Sequence, residues 1–208
     1  MRGRMISASR PLLLGSQSPR RKDILESLRL PFTVLPADVP EHVRAGEAPG
    51  AYVERIVATK LAAVAERLET APRALSAVLV ADTVVVLGSA ILGKPADLAD
   101  AERLLTDLCG RTHRVITRYA ISDRPPYDTA TIARSVMTEV TLRSASVEQI
   151  RRYAASGEGL DKAGAYAAQG LGSFLVERVQ GSYTNVVGLP ASELIVDLTE
   201  LGLLGAYP

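Results

Sequence analysis

"AVLVADTVVVLGSAILGK", residues 77–94, is the stretch on which the fold turns. From Ala77 to Leu87 the run is almost wholly apolar, rich in valine and too short to cross a bilayer, so it reads as a strand covered on both faces. Gly88 and Ser89 make a turn, and Ile91 to Lys94 returns as the second arm of a hairpin. Asp82 interrupts the run. A buried carboxylate without a partner costs several kcal/mol, so this one needs a cation. The candidates are a divalent metal, Arg20 or Arg21, and Lys94, which a two-residue turn sets opposite Thr83 and a three-residue loop opposite Val84. A structural ion pair and a catalytic carboxylate both meet that need.

Working outward, Leu12 to Leu14 is a short strand feeding a helix from Pro19 to about Leu28, with Ser18 as N-cap and Pro19 as first helical residue. Phe32 to Leu35 resumes as strand, Asp38 to Glu47 is a polar loop, and a long helix from about Gly50 to Leu68 turns Val53, Ile56, Val57, Leu61, Val64 and Leu68 inward. Asp97 caps a helix ending at Gly110. Thr112 to Ile121 and Thr131 to Leu142 form an antiparallel pair, followed by a helix opened by Ser146 and Gln149 as a capping box. "GEGLDKAGAYAAQGLG" reads as a functional loop, Phe174 to Val179 as a strand, and a last helix starts near Pro190 with Leu194, Ile195, Leu198 and Leu201 on one side. Alternating strands and helices with short joints predict an α/β protein with a mixed sheet, without internal repeat or clean domain boundary.

Composition narrows the function. With 47% hydrophobic and 23% charged residues the chain is globular rather than disordered. Its 24 basic and 23 acidic residues argue against a general nucleic-acid footprint, so any polyanion site is local. Nothing predicts a membrane span or a secretion signal, and the single cysteine, Cys109, fits a reducing, cytoplasmic compartment. Two histidines and no paired cysteines argue against a zinc site, so any metal would be held by carboxylates, hence a hard ion such as magnesium or manganese.

Arg20 and Arg21 then stand out. They occupy the first turn of a helix, where cations cost about 0.3–1 kcal/mol unless an anion lies against them. A strand, a turn rich in serine and glycine, and a helix N-terminus make a phosphate cradle, to which arginines add bidentate donors; a solvated helix face is the plainer reading. Lys60 lies on the apolar stripe of the long helix, where a snorkelling stem is the plain reading. Glu41 and Asp38 offer oxygen ligands from a loop. "DKAGAYAAQG" combines Asp161, Lys162 and Gln169 with glycines that admit close backbone approach, while Arg111 and His113 read as neutralising a helix end and Cys109 as a small buried side chain. Two arginines, two lysines, a buried aspartate and loop acids together suggest a polyphosphate bound with a hard metal.

"LLLGSQSPRRKDILESLRLPFTVLPADVPE", "VATKLAAVA", "VADTVVVL", "LGKP", "CGRTHRVIT", "SGEGLDKAGAYAAQG" and "NVVGLP" follow in an order that resembles the Maf family of nucleoside triphosphate pyrophosphatases, from about Leu12 to Leu201. The resemblance implies a mixed-sheet α/β fold similar to the inosine triphosphate pyrophosphatases, with two lobes around a cleft, and a homodimer. It makes residues 1–208 one catalytic domain, with residues 1–10 an extension. It implies cleavage of a nucleoside triphosphate into monophosphate and pyrophosphate with a divalent cation, Asp82 as general base, Ser16, Arg20, Arg21, Lys60 and Lys94 holding phosphates, and Glu41 near the metal. Arg20, Thr83 and Gln169 resemble the branch acting on dTTP and UTP, whereas the 7-methyl-GTP branch carries an aromatic residue, a glutamine and a glutamate there. Gln17, Gly159 and Arg118 depart from the pattern, Gln17 by crowding the phosphate turn. The family's link to septum formation makes a nucleotide-binding regulator without turnover the competing class.

Overall fold

A computed structural model describes residues 5–71 and 73–208. The sheet has seven strands: β1 (Leu12–Leu14), β2 (Phe32–Val34), β3 (Ala77–Leu87), β4 (Ala90–Leu92), β5 (Thr112–Ser122), β6 (Ile132–Leu142) and β7 (Val176–Gln180). Its order is β2-β1-β3-β5-β6-β7, with β4 on β3; β1 runs parallel to β2 and β3, and every other pair is antiparallel. The sheet is therefore mixed, as the sequence predicts. The helices are α1 (Pro19–Ser27), α2 (Pro49–Thr70), α3 (Leu98–Leu108), α4 (Val147–Ala155), α5 (Tyr183–Val187) and α6 (Ala191–Glu200).

β3 organises everything around it. Along its length alternate residues face opposite layers, since successive strand side chains point to opposite faces. Val78 and Val80 pack with Val57, Leu61 and Val64 of α2, and Val84 and Val86 with Val53 and Ile56. On the other face Ala77, Leu79 and Ala81 meet Ile24, Leu25, Leu194 and Leu198 from α1 and α6, whereas Val85 meets Leu104, Leu105 and Leu108 from α3. That second face thus carries two separate clusters, the two lobes, with a cleft between them.

The pairing of β3 explains where the cleft opens. β5 pairs one edge from Val78 to Val86. On the other edge β1 covers only Ala77–Leu79 and β4 only Val85–Leu87, so no strand pairs there between Val80 and Val84. Gly15, just beyond β1, donates its N–H to Leu79 O at 2.8 Å and enters this gap. Only glycine fits: a Cβ at residue 15 would lie 2.7 Å from Val80 Cγ1 and 2.9 Å from Val64 Cγ2.

Several local expectations are met. The Ser146–Gln149 capping box forms, Asp97 caps α3 through Asp100 N–H, and the β3–β4 turn has two residues, with Leu87 opposite Ala90. The strand expected from Phe174 begins instead at Val176, because Gly170–Leu175 is wound as a 3₁₀ turn. Short α5 was not foreseen at all; its five residues are too few to show a helical period, though Ser182 caps it through Asn185 N–H. Of the N-terminal extension, Met1 to Arg4 lie outside the described residues, while Ile6 N–H bonds Leu203 O at 2.9 Å and the Arg10 guanidinium bonds Leu75 O at 2.9 Å. Among the described residues no helix is long and apolar enough to cross a membrane.

Candidate active site

At the gap in β3 lies a cavity of ≈ 1010 Å³ lined by Ser16, Arg20, Arg21, Glu41, Lys60, Asp82, Thr83, Lys94 and Gln169, among others. Every site residue read from the sequence therefore reaches one cleft. Their partners differ from several expectations.

Asp82 faces α2, and its cation is Lys60, for which the sequence suggests a snorkelling stem and the resemblance a phosphate contact, neither of them a pairing with Asp82. Lys60 Nζ lies 2.7 Å from Asp82 Oδ1 and 2.6 Å from Glu41 Oε1, and only 5% of the lysine is exposed. The apolar stripe was legible, but a lysine within it could not be told from a snorkelling one without the strand laid beneath. Asp82 Oδ2 has no partner among the described residues. Lys94, the candidate partner that the hairpin brings near, stays mostly exposed, 3.9 Å from Glu41 Oε2, because β4 ends two residues before it.

The Glu41 loop is held from α2. Tyr52 donates to Glu41 O at 3.1 Å; Arg55 donates to His42 O at 2.9 Å and grips Glu47 through two bonds of 2.6 Å. Burial pushes the Glu41 carboxyl up, but Lys60 outweighs it and the group ends below its ordinary range. Burial, with Asp82 and Glu41 nearby, pushes the Tyr52 phenol up to about 12. Tyr52 and Arg55 were missed because their partners are backbone and loop atoms distant in sequence.

On the opposite face of β3, Arg21 is almost fully buried. It donates to Gly188 O at 2.8 Å, Ser16 Oγ at 3.0 Å and Thr83 Oγ1 at 3.1 Å. Burial lowers its pKa, opposed by the negative charges of Asp82 and Glu41. Thr83 also meets Thr117 Oγ1 at 2.9 Å, and Thr117 donates to Asn185 O at 3.0 Å. The unforeseen α5 is thus what delivers Gly188 to Arg21. Ser16 Oγ further accepts Ser18 N–H at 3.2 Å, which stiffens the turn into α1; Ser18 itself makes no side-chain cap.

Arg20 crosses the cleft instead. Its Nη1 lies 2.8 Å from Asp161 Oδ2, while Asp161 Oδ1 lies 2.6 Å from Lys162 Nζ. Burial raises the Asp161 pKa, but the bonds from Lys162 and Arg20 outweigh it and hold the carboxyl at about 2. Gln169 is exposed on the same rim. Gln17 is exposed as well and lines the same cavity. Asp38 lines the cavity, and Arg118 pairs with Glu54 at 3.2 Å outside it.

His113 corrects another expectation. Arg111 does reach a helix end, donating to Asp107 O at 3.3 Å, but His113 is 2% exposed and bonds Tyr166 Oη at 2.8 Å. Its Nδ1 has no partner among the described residues, and burial lowers its pKa to about 4, so it is neutral and offsets no dipole. The unfolded ring protonates near pH 6.5 and the folded one near 4, so stability present above 6.5 falls away as pH drops to 4. The loss amounts to about 3 kcal/mol, or a melting temperature lower by roughly 6–12 °C for a chain this long. Melting curves from pH 7.5 to 4 should show that slope relative to His113→Gln, which keeps a donor for Tyr166; parallel curves would refute it.

Among the described residues no group of three or more His, Cys, Asp or Glu is placed to hold a metal. Glu41 and Asp82 both bring a carboxylate oxygen to Lys60 Nζ, a donor set that fits a hard cation completed by phosphate and water rather than a protein-only cage.

The Maf-like protein family model matches residues 11–201. A dTTP/UTP pyrophosphatase of Myxococcus xanthus is 47% identical over 192 residues, covering 92% of this chain and 93% of that protein. One from Geobacter sulfurreducens is 43% identical over 193 residues, covering 93% and 97%. A HAM1 protein from Coxiella burnetii superposes with a TM-score of 0.47 at 16% identity, covering 91% and 98%. The span of the family match takes in β1, the Arg20–Arg21 turn, Lys60, Asp82 and the Gln169 loop, and the chain belongs to the Maf-like family.

Proposed function

We propose that the chain hydrolyses dTTP and UTP to the monophosphate and pyrophosphate, within a single catalytic domain. The observation that carries this reading is Lys60, buried between Asp82 and Glu41 at the foot of a cleft that Arg20, Arg21 and Lys94 also line. Cations arranged around a buried carboxylate suit a reaction in which negative charge builds on phosphate oxygens while water gives up a proton. The relatives named dTTP/UTP pyrophosphatase support the same substrates.

In this reading Lys60, Arg20 and Lys94 bind the phosphate chain, Arg20 leaving Asp161 to do so. Arg21 and Ser16, locked by Gly188 and Thr83, shape the turn that receives it. Asp82 takes the proton of the attacking water on Oδ2, the oxygen Lys60 does not occupy. The bond between the α and β phosphates breaks and pyrophosphate leaves. Glu41 and Asp82 are the residues that would hold magnesium or manganese, which supplies positive charge to the phosphate oxygens when bound. The reading includes a cytoplasmic homodimer; a lone cysteine agrees with that compartment.

Gln169 presents an amide, donor and acceptor together, that matches the uracil or thymine edge. Gln169→Glu is expected to shift preference from dTTP toward 7-methyl-GTP, and an unaltered substrate profile would remove Gln169 as the base reader. The reading as a whole is tested by pyrophosphate release with magnesium or manganese from dTTP, UTP, CTP, GTP, ATP and 7-methyl-GTP, with Asp82→Asn as blank. Selective turnover of dTTP and UTP is expected. Binding without turnover of any nucleotide would make the chain a regulator instead.

A further inference from the structure

Gln169 has no side-chain partner among the described residues, yet its backbone is gripped on both sides. Two residues before it, Ala167 N–H donates to Tyr153 Oη at 3.0 Å. Two and three residues after it, Leu171 N–H and Gly172 N–H donate to Glu158 Oε1 and Oε2 at 2.9 and 2.7 Å. Tyr153 closes the clamp by donating its own hydroxyl to Glu158 Oε2 at 2.9 Å. One phenol and one carboxylate therefore fix the loop that carries Gln169.

The loop's glycines are cut to this clamp. Gly170 has φ +63°, and a Cβ there would lie 2.3 Å from Glu158 Oε1; one at Gly172 would lie 2.4 Å from Tyr153 Oη and 2.5 Å from Ala167 O. Neither position has room for a side chain while the clamp is closed. Tyr153 is itself 2% exposed and edge-on to Phe174, with ring centroids 5.9 Å apart. Burial pushes the Glu158 carboxyl up, but the Gly172 and Leu171 amides and the Tyr153 hydroxyl outweigh it, so both oxygens stay ionised acceptors at neutral pH. Lys162, on the cleft wall, also bonds the Glu158 carbonyl oxygen.

We propose that Glu158 and Tyr153 are positioning residues for base selectivity, holding the Gln169 amide at the one height and angle that meets a uracil or thymine edge. The proposal rests on the reading of Gln169 as the base reader. Its physical basis is that polar discrimination depends on a donor and an acceptor being fixed before the base arrives, and a displacement of about 1 Å is enough to lose most of it. Glu158→Gln keeps the size but turns one acceptor oxygen into a donor facing a peptide N–H, and Tyr153→Phe keeps the ring but removes the hydroxyl.

The test is kcat/KM for UTP and for CTP, which share the ribose and present opposite donor and acceptor patterns at N3 and the C4 substituent, measured on both variants with and without Gln169→Ala. Each clamp variant should lower the UTP-to-CTP ratio roughly tenfold, mostly through KM, and should lower it no further once Gln169 is alanine. Should Glu158→Gln fail to fold, Tyr153→Phe decides alone, since its ring packing is retained. A ratio that drops in Gln169→Ala but not in the clamp variants would sink the proposal and leave the reading of Gln169 standing. An unchanged ratio in Gln169→Ala would sink both. A further drop when a clamp variant is added to Gln169→Ala would show that the clamp acts elsewhere, and would overturn the proposal too.

Discussion

Asp82→Asn is expected to bind dTTP at least as tightly as the native chain while losing roughly 10²–10⁴-fold in turnover, the range that a positioned general base contributes. The amide oxygen still accepts from Lys60 Nζ, so the 2.7 Å contact that holds the lysine is preserved. What disappears is the basicity of Oδ2 and one negative charge beside the phosphate site. Losing that charge removes repulsion toward a triphosphate, so affinity should stay level or rise. A loss of 10³ corresponds to about 4 kcal/mol at the transition state, far beyond what altered packing of an isosteric side chain produces. Pyrophosphate release and equilibrium binding of dTTP, measured on the same preparation, separate the outcomes. Turnover within tenfold of native would pass the proton to another group. Loss of binding together with turnover would make Asp82 a structural partner of Lys60 and nothing more.

Much of this was legible because it is local. The apolar run of β3, the turn at Gly88–Ser89 and the caps at Asp97 and Ser146 depend on neighbours a few residues away, and each took the form its residues predict. The illegible part depends on distance in sequence. Lys60 and Asp82 are 22 residues apart and meet only because α2 packs on the face of β3 that carries Asp82; the residues alone offer Asp82 a divalent metal, Arg20 or Arg21, and Lys94, and each of those three side chains bonds elsewhere. Arg21 shows the same limit from the other side. Its place at a helix N-terminus suggests an exposed anion site, but the side chain is buried and three of its five N–H groups bond Gly188, Ser16 and Thr83, and Gly188 arrives by an α5 too short to read. His113 looked like a helix-end cation because sequence order places it after α3, whereas the β5 alternation turns it inward onto Tyr166.

Lys60→Met should be the most destabilising change in the cleft. The methionine fills a similar volume, but Asp82, 7% exposed, is left as a buried charge without its ammonium, and breaking a buried pair costs about 3–5 kcal/mol. Glu41 adds little, since its side chain is 37% exposed and water screens it. For a chain of this length the cost corresponds to a melting temperature lower by roughly 6–20 °C. If the uncompensated charge is the cause, removing it must restore stability. The double variant Lys60→Met, Asp82→Asn should then melt well above Lys60→Met although neither turns over substrate. Melting temperatures of the native chain, both single variants and the double variant at pH 7 give the coupling directly. A Lys60→Met chain within a degree or two of native would mean that Asp82 is solvated or neutral in the resting cleft. A basic Oδ2 held ready by Lys60 would then be untenable, so the stability cycle bears on the mechanism before any nucleotide is added.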